Sequence, residues 1–152
     1  MLKTGERVTR TSDSAAALSF ELHNAARLLR RTFDRRARSH GLSRARWQVL
    51  WTLAREEGLK QSELADRLDV APISLTRQLD NLEQEGLVER RPDPADRRCF
   101  RVFLTTAAGP ALDLLVGLAV ETRAQAFAGL DAAEVRQLQG LLGRIRENLG
   151  ND

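Results

Sequence analysis

Apolar residues recur at helical spacing through the middle of the chain and predict two short helices in succession. The first is indicated by Leu64, Ala65 and Leu68. Pro72 predicts the start of the second, because a first helical position does not need the N–H that proline lacks. Gly86 predicts its left-handed end, and its inward stripe consists of Leu75, Leu79 and Leu82. Two short helices joined by a tight turn form a helix-turn-helix unit.

After Gly86 the pattern changes to the alternation typical of strands and predicts a hairpin. Pro92 and Pro94 interrupt strand pairing at its tip, where Asp93 and Asp96 suit turns because their side chains accept hydrogen bonds from nearby amides. The return strand has one apolar face, predicted to pack inward, made of Phe100, Val102 and Leu104. Residues 58–60 are expected to add a small third strand.

Four further helical patterns enclose this unit, and glycines mark their ends. They extend from a cap at Asp13 or Ser14 to Gly41, from Ser43 to Gly58, from about residue 106 to Gly129, and from Asp131 to Gly150. The last two carry more apolar surface than a chain of this size can cover alone. We therefore predict a two-fold dimer formed by the terminal helices, with a monomeric helical bundle as the alternative.

The predicted fold class is mainly α with a small β-wing (α+β), a winged helix-turn-helix with long terminal helices that form a dimerisation bundle. We divide one compact domain into a flexible N-terminal arm (1–12), a helical dimerisation region (13–41 and 106–150) and a winged helix-turn-helix lobe (42–105). The length of 152 residues, with 42% apolar and 30% charged residues, fits a single globular domain.

The net charge is only +3, so affinity for nucleic acid would depend on where the arginines lie and not on their total. A single cysteine suits a reducing cytosol, and the first residues lack the apolar core of a signal peptide. The longest apolar run, residues 114–120, is far too short to span a membrane. These features predict a cytoplasmic protein without a membrane partner.

The second helix of the helix-turn-helix unit has a polar outer face suited to hydrogen bonding with base edges or phosphates. This face contains Ser74, Thr76, Arg77, Gln78 and Asn81. Arg97 and Arg98 at the hairpin tip can enter a minor groove, and Asp96 can support the wing by a charge-assisted pair with one of them. The alternative for both surfaces is an ordinary solvated face.

The residues that carry a family resemblance lie in this same region. They are Leu42, Trp47 and Leu50 in GLSRARWQVL, Leu64 and Ala65 in SELADRL, Arg77 in LTRQLDNLE, Gly86 with Leu87, and Asp96 to Arg98 followed by Leu104 and Thr105 in DPADRRCFRVFLT. On these motifs the chain resembles the MarR family of dimeric winged helix-turn-helix regulators of bacteria. The resemblance implies a dimer that places two recognition helices about one DNA turn apart.

The function predicted from these residues is a sequence-specific transcriptional regulator that binds a pseudo-palindromic operator in double-stranded DNA. Ser74, Thr76 and Arg77 would read the major groove, and Pro72 would touch a thymine methyl group. Weaker candidates for phosphate contacts are Arg44, Arg46, Gln61 and Ser62; the two arginines stand in the first turn of a helix, where a cation opposes the dipole. The rival hypotheses are a winged-helix protein–protein module and a non-specific architectural DNA-binding protein.

The resemblance further implies that a small phenolic or aromatic-acid ligand binds between the lobe and the dimer helices and releases DNA, as expected of a repressor. The weak candidates for this site are His23, Arg27, Trp47 and Trp51. The arginine-rich second half of the first long helix is interpreted as a solvated and packing face, with a second DNA surface as the alternative.

Catalysis and metal binding find little support in the sequence. The two histidines, His23 and His40, are nearly five helical turns apart and cannot share a site. There is no cluster with metal-ligand spacing and no glycine-rich phosphate loop, so we expect neither enzyme activity nor a cofactor or metal. Cys99 lies among arginines that would favour its thiolate; a redox-sensing wing and an incidental thiol are both open.

Overall fold

The computed structural model describes residues 14–150. The predicted flexible arm, residues 1–12, and the candidate cap Asp13 lie outside the described residues. The long helices are α1 (Ser14–Ser39), α2 (Arg44–Arg55), α5 (Gly109–Ala126) and α6 (Ala132–Leu149). The shorter elements are β1 (Leu59–Lys60), α3 (Gln61–Leu68), α4 (Pro72–Gln84), β2 (Val88–Pro92), β3 (Phe100–Leu104) and a 3-10 turn (Thr106–Ala108). The structure therefore confirms a mainly helical fold with a small wing.

The ends of the helices follow the predicted signals. Pro72 occupies the first turn of α4, and Gly86 follows that helix with a left-handed φ of 75°. Asp131 caps α6, because its carboxylate accepts hydrogen bonds from the N–H groups of Ala133 and Glu134 at 2.7 and 2.8 Å. The turn between α3 and α4 depends on Asp69, whose φ of 51° is left-handed and which the sequence analysis did not single out.

The three strands form an antiparallel sheet in the order β1-β3-β2, so the predicted third strand is present. Val102 lies at its centre, opposite Leu59 of β1 and Arg90 of β2, and is fully buried. Phe100 was predicted to pack inward beside it, and this prediction is wrong because its side chain is 44% exposed. The reason is the register, which places Phe100 against Pro92 at the outer end of the hairpin, beyond the core.

The core lies in the winged lobe and the helix segments that touch it. The predicted inward stripe of α4 is buried there with Leu64 and Ala65 of α3, whereas Leu68 is only partly buried. Residues of α2, β2, β3 and the first half of α5 complete this core. Its largest fully buried aliphatic side chains are Leu50, Leu53, Leu64, Leu75, Leu79, Leu82, Leu115, Val49, Val88 and Val102. By contrast, α6 contains no buried residue, and Phe20 of α1 is 67% exposed.

Candidate nucleic-acid interface

The first turns of α4 present an exposed surface on the outside of the lobe. Ala71 precedes the helix in an extended conformation, and its carbonyl accepts hydrogen bonds from the N–H groups of Ser74 and Leu75. Burial of Leu75, Leu79 and Leu82 fixes the rotation of the helix, so that its opposite side faces solvent. The exposed candidates are Pro72, Ser74, Arg77 and Asn81, while Gln78 is half-buried.

Ile73 belongs to the same surface, although the sequence analysis did not name it. Its side chain is 74% exposed at the second position of α4. An isoleucine outside the apolar stripe of an amphipathic helix is the signal that was available in the sequence. An exposed aliphatic group at this position suits contact with the methyl group of a thymine.

The Thr76 hydroxyl is engaged within the protein. It donates to the carbonyl oxygen of Pro72 at 3.0 Å and accepts from Nε2 of Gln61 at 2.9 Å. These bonds join the start of α3 to the start of α4. Thr76 was predicted to read bases and Gln61 to contact phosphate, and the geometry gives both residues a part in holding the helix-turn-helix together. Ser62, in the first turn of α3, is exposed.

Arg44 and Arg46, the other two candidates for phosphate contacts, both have carboxylate partners. Arg44 donates from Nε to Oδ2 of Asp34 at 2.8 Å. Arg46 forms a two-pronged pair with Glu85 at the end of α4, including Nη1 to Oε1 at 2.6 Å. The hydrogen bond from Arg46 lowers the pKa of Glu85. These ion pairs explain why cations are tolerated in the first turn of α2, so phosphate contact is not needed to account for them.

Asp93 fixes the turn of the wing directly after β2, and the sequence analysis predicted only that it suits a turn. Its side chain is completely buried and accepts hydrogen bonds from the N–H groups of Ala95 and Asp96, and from Nε of Arg101 at 2.7 Å. The pKa of Asp93 is lowered by the hydrogen bond from the N–H of Ala95, and also by Arg101 and the N–H of Asp96. Burial alone would raise this pKa. Arg101 also donates to the carbonyl of Gly58, which connects the hairpin to the segment before β1.

The tip of the wing carries the predicted cations. Asp96 accepts from the backbone N–H of Arg98 at 3.0 Å and from its Nε at 3.3 Å, so the expected supporting pair forms through one carboxylate oxygen. The N–H of Arg98 is the main reason that the pKa of Asp96 is lowered. Arg97 and Arg98 are both exposed. The Cys99 thiol is half-buried and lies 3.7 Å from Oδ2 of Asp96.

A further ion-pair cluster ties the wing to α4. Arg90 of β2 donates from Nη2 to Asp80 at 2.5 Å and to Glu83 at 2.6 Å, and its backbone N–H also bonds to Glu83. The Arg90 side chain lowers the pKa of Glu83. This cluster was not predicted, because neither the spacing nor the residue types distinguish it from a solvated surface. It sets the orientation of the hairpin relative to the exposed face of α4.

The four candidate ligand residues are not collected in one cavity. Trp47 is half-buried, packs edge-on against Phe33 and donates from Nε1 to Oδ1 of Asp34 at 3.0 Å. Trp51 packs against the core, whereas His23 and Arg27 are exposed on α1. An apolar groove does lie between α1, α5 and α6, lined by residues such as Leu29, Phe127 and Leu142. None of the four candidates lines that groove.

Within residues 14–150, no group of three or more histidine, cysteine or carboxylate side chains could hold a metal ion. Within the same range, none of the helices combines the length and hydropathy needed to cross a bilayer.

Comparison with known proteins agrees with this geometry. A model of the MarR family matches residues 42–100, the whole of the lobe up to the start of β3. The solved structure of the transcriptional regulator PA3341 is 37% identical, with 87% of this chain and 97% of that chain covered and a TM-score of 0.73. The apo form of wild-type MarR from E. coli is 28% identical, with 84% and 95% covered and a TM-score of 0.77. A MarR transcriptional regulator from Methanosarcina mazei Go1 is 26% identical, with 88% and 96% covered and a TM-score of 0.74.

Proposed function

The chain belongs to the MarR family of DNA-binding transcriptional regulators, and we propose that it is a sequence-specific repressor that binds a pseudo-palindromic operator as a homodimer. A two-fold dimer would place two copies of α4 in successive major grooves about 34 Å apart. The operator would then mirror the symmetry of the protein. The proposed site of action is the cytoplasm of a bacterium.

The observation that carries this proposal is the exposed polar face of α4 together with the exposed cations at the tip of the wing. Arg77 projects from that face, and no carboxylate pairs with it among the described residues. Its guanidinium is free to donate two hydrogen bonds to O6 and N7 of a guanine. Pro72, Ile73, Ser74, Gln78 and Asn81 would complete the contact in the major groove.

The wing would supply the second contact. Arg97 and Arg98 stand at the tip of a hairpin whose turn is held by the buried Asp93 and whose strand β2 is tied to α4 by Arg90. Long cations on a braced hairpin suit the negative potential of a narrow minor groove. Thr76 and Gln61 would act by keeping α3 and α4 in register rather than by reading bases.

Footprinting on the DNA that flanks the protein's own gene would locate the operator, and Arg77→Ala would test how it is read. We expect this change to weaken operator binding by about 1–3 kcal/mol per half-site, mostly as lost specificity. Arg55→Ala is the matched control, because Arg55 is an exposed arginine at the end of α2, and it should bind as the wild type does. Equal affinity for all duplexes at fixed salt would instead identify an architectural DNA-binding protein.

We also propose that a small phenolic or aromatic acid releases the repressor from DNA. The support for this ligand is the family relationship. The structure does not bring His23, Arg27, Trp47 and Trp51 together in one cavity. The ligand must bind the DNA-free arrangement more tightly, since equal affinity for both arrangements would shift nothing. Titrating salicylate into the operator complex would test it. Release should depend on Trp47 if the site lies at the junction of α1 and α2.

A further inference from the structure

The positive charge of this protein is concentrated on α1 and not on the DNA-binding lobe. Residues 42–105 contain eleven basic and eleven acidic side chains, so the lobe has no net charge. Ser14–Ser39 contains six arginines and two carboxylates, an excess of four that is larger than the net charge of +3 for the whole chain. Electrostatic attraction to a polyanion therefore centres on this helix.

Most arginines of the lobe are already paired with carboxylates. Apart from Arg98 at the tip of the wing, those within 4 Å of an acidic oxygen are Arg44, Arg46, Arg67, Arg90, Arg91 and Arg101. A paired guanidinium contributes little further attraction for a phosphate unless the pair is broken. Sequence-independent affinity for duplex DNA depends on lysine and arginine side chains that neutralise phosphates. The lobe offers few unpaired cations for this purpose.

Four arginines of α1 form a continuous line, which we call the α1 stripe: Arg27, Arg31, Arg35 and Arg38. At 100° per residue they fall within an arc of about 80°, and they extend over about 16 Å of helix. All four are exposed, and none has a carboxylate within ion-pair distance in the part of the chain that the structure describes. Arg36 differs, because it turns toward α5 and donates to Thr122 and Gln125.

The C-terminal end of the α1 stripe adjoins the DNA-binding lobe. Asp34, next to the stripe on the helix surface, holds Arg44 and Trp47 of α2. Arg46, which follows Arg44 by two residues on α2, is paired with Glu85 at the end of α4. The two ion pairs Asp34–Arg44 and Arg46–Glu85 thus connect the α1 stripe, through α2, to the end of α4.

We propose that the α1 stripe is a second DNA-binding surface that contacts the phosphate backbone beside the operator half-site. This inference rests on the proposed function. The stripe would supply the sequence-independent part of the affinity, which the neutral lobe does not provide. It also revises the sequence-based interpretation of these arginines as a merely solvated face, because the structure leaves them without carboxylate partners while pairing most of those in the lobe.

The test is the salt dependence of operator binding by the double variant Arg31→Gln, Arg35→Gln. The control, Arg136→Gln, Arg144→Gln, removes two exposed arginines from α6 and so changes the net charge equally. Binding to the DNA duplex that footprinting identifies as the operator is measured by fluorescence anisotropy between about 50 and 200 mM salt. The double variant removes two arginines from each protomer, so the loss of four phosphate contacts per dimer should make the slope of log K against log[salt] shallower by about 3.6. The control slope should equal that of the wild type.

Equal slopes for the stripe variant and its control would overturn the proposal, and would leave the α1 stripe as a solvated face or a surface for an acidic protein. This result is distinguishable from failure of the proposed function. If the wild type binds the operator and Arg77→Ala weakens it, the repressor stands and only the stripe is excluded. If the wild type binds neither the flanking DNA nor a random-sequence duplex, both proposals fail together.

Discussion

At the scale of single residues, Asp34 is the side chain on which the junction of α1 and α2 depends. It is buried and accepts hydrogen bonds from Trp47 Nε1 and from Arg44. In Asp34→Ala the indole N–H loses its acceptor inside the protein. We expect the free energy of unfolding to fall by about 1–3 kcal/mol, as measured by urea denaturation.

A double-mutant cycle separates this hydrogen bond from the general effect of truncation. Trp47→Phe removes the N–H donor and keeps an aromatic ring against Phe33. If the bond matters, the double variant should lose less than the sum of the two single losses. Strictly additive losses would show that Asp34 stabilises the junction without the help of Trp47.

Asp93 makes the stability of the wing depend on pH in a defined direction. Its folded pKa is lowered by the Ala95 N–H, Arg101 and the Asp96 N–H, so the charged form stabilises the fold. That stabilisation is complete above the unfolded pKa of about 4 and is lost as the pH falls through the lower, folded value. The stability difference between wild type and Asp93→Asn should therefore be constant from about pH 5 to 8 and shrink below about pH 4.

Urea denaturation at several pH values would check this expectation. Asp113→Asn is the comparison, because Asp113 is exposed on α5 and is not part of the wing. Its difference from the wild type should stay small at every pH. A wild-type advantage over Asp93→Asn that persists undiminished well below pH 4 would contradict the role assigned to the Asp93 carboxylate.

At the scale of elements, we expect a glycine-to-alanine substitution to have opposite effects on the stability of the fold at two positions. Gly86 ends α4 with φ of 75°, and a Cβ there would meet nothing within 4 Å, so only the backbone conformation opposes a side chain. Gly86→Ala should destabilise by about 1–2 kcal/mol. Gly117 lies inside α5, also with open space, and Gly117→Ala should stabilise by about 0.5–1 kcal/mol. Thermal denaturation of both variants measures the two signs.

The elements themselves were largely predictable because their signals are local. Pro72, Gly86 and Asp131 mark helix ends through the conformation or hydrogen bonding of a few neighbouring residues. The side-chain partners were not predictable. Arg46 and Glu85 are 39 residues apart, and nothing in their sequence neighbourhoods indicates that α2 and the end of α4 meet.

The same limit explains what was missed or mistaken at the site. Phe100 fits the alternation of an inward-facing strand, yet the register leaves it beyond the core. Alternation assigns a face of the sheet but does not say where along the strand the core ends. The bonding of the Thr76 hydroxyl to Pro72 and Gln61 likewise depends on how closely α3 and α4 approach. The polar pattern of α4 could not reveal it.

At the scale of the whole molecule, most of the exposed large apolar side chains lie on or next to the terminal helices. Exposed leucines and valines occur on α1, α5 and α6, among them Leu18, Leu22, Val116, Val120, Leu138, Leu141 and Leu142. The groove between these three helices is lined almost entirely by apolar side chains. Continuous apolar surface of this kind marks a protein interface, which supports the proposed homodimer.

Leu142→Glu tests that dimer and its consequence for DNA. Leu142 lines the groove from α6, and a carboxylate there would be buried without a partner on association. We expect a monomer in sedimentation velocity, and operator affinity reduced by about 100-fold or more because the two half-sites would no longer be bound together. Gln137→Glu adds the same charge to α6 outside the groove and should remain dimeric. A Leu142→Glu protein that stays dimeric would place the interface elsewhere, and a monomer with undiminished affinity would show that one lobe suffices for DNA binding.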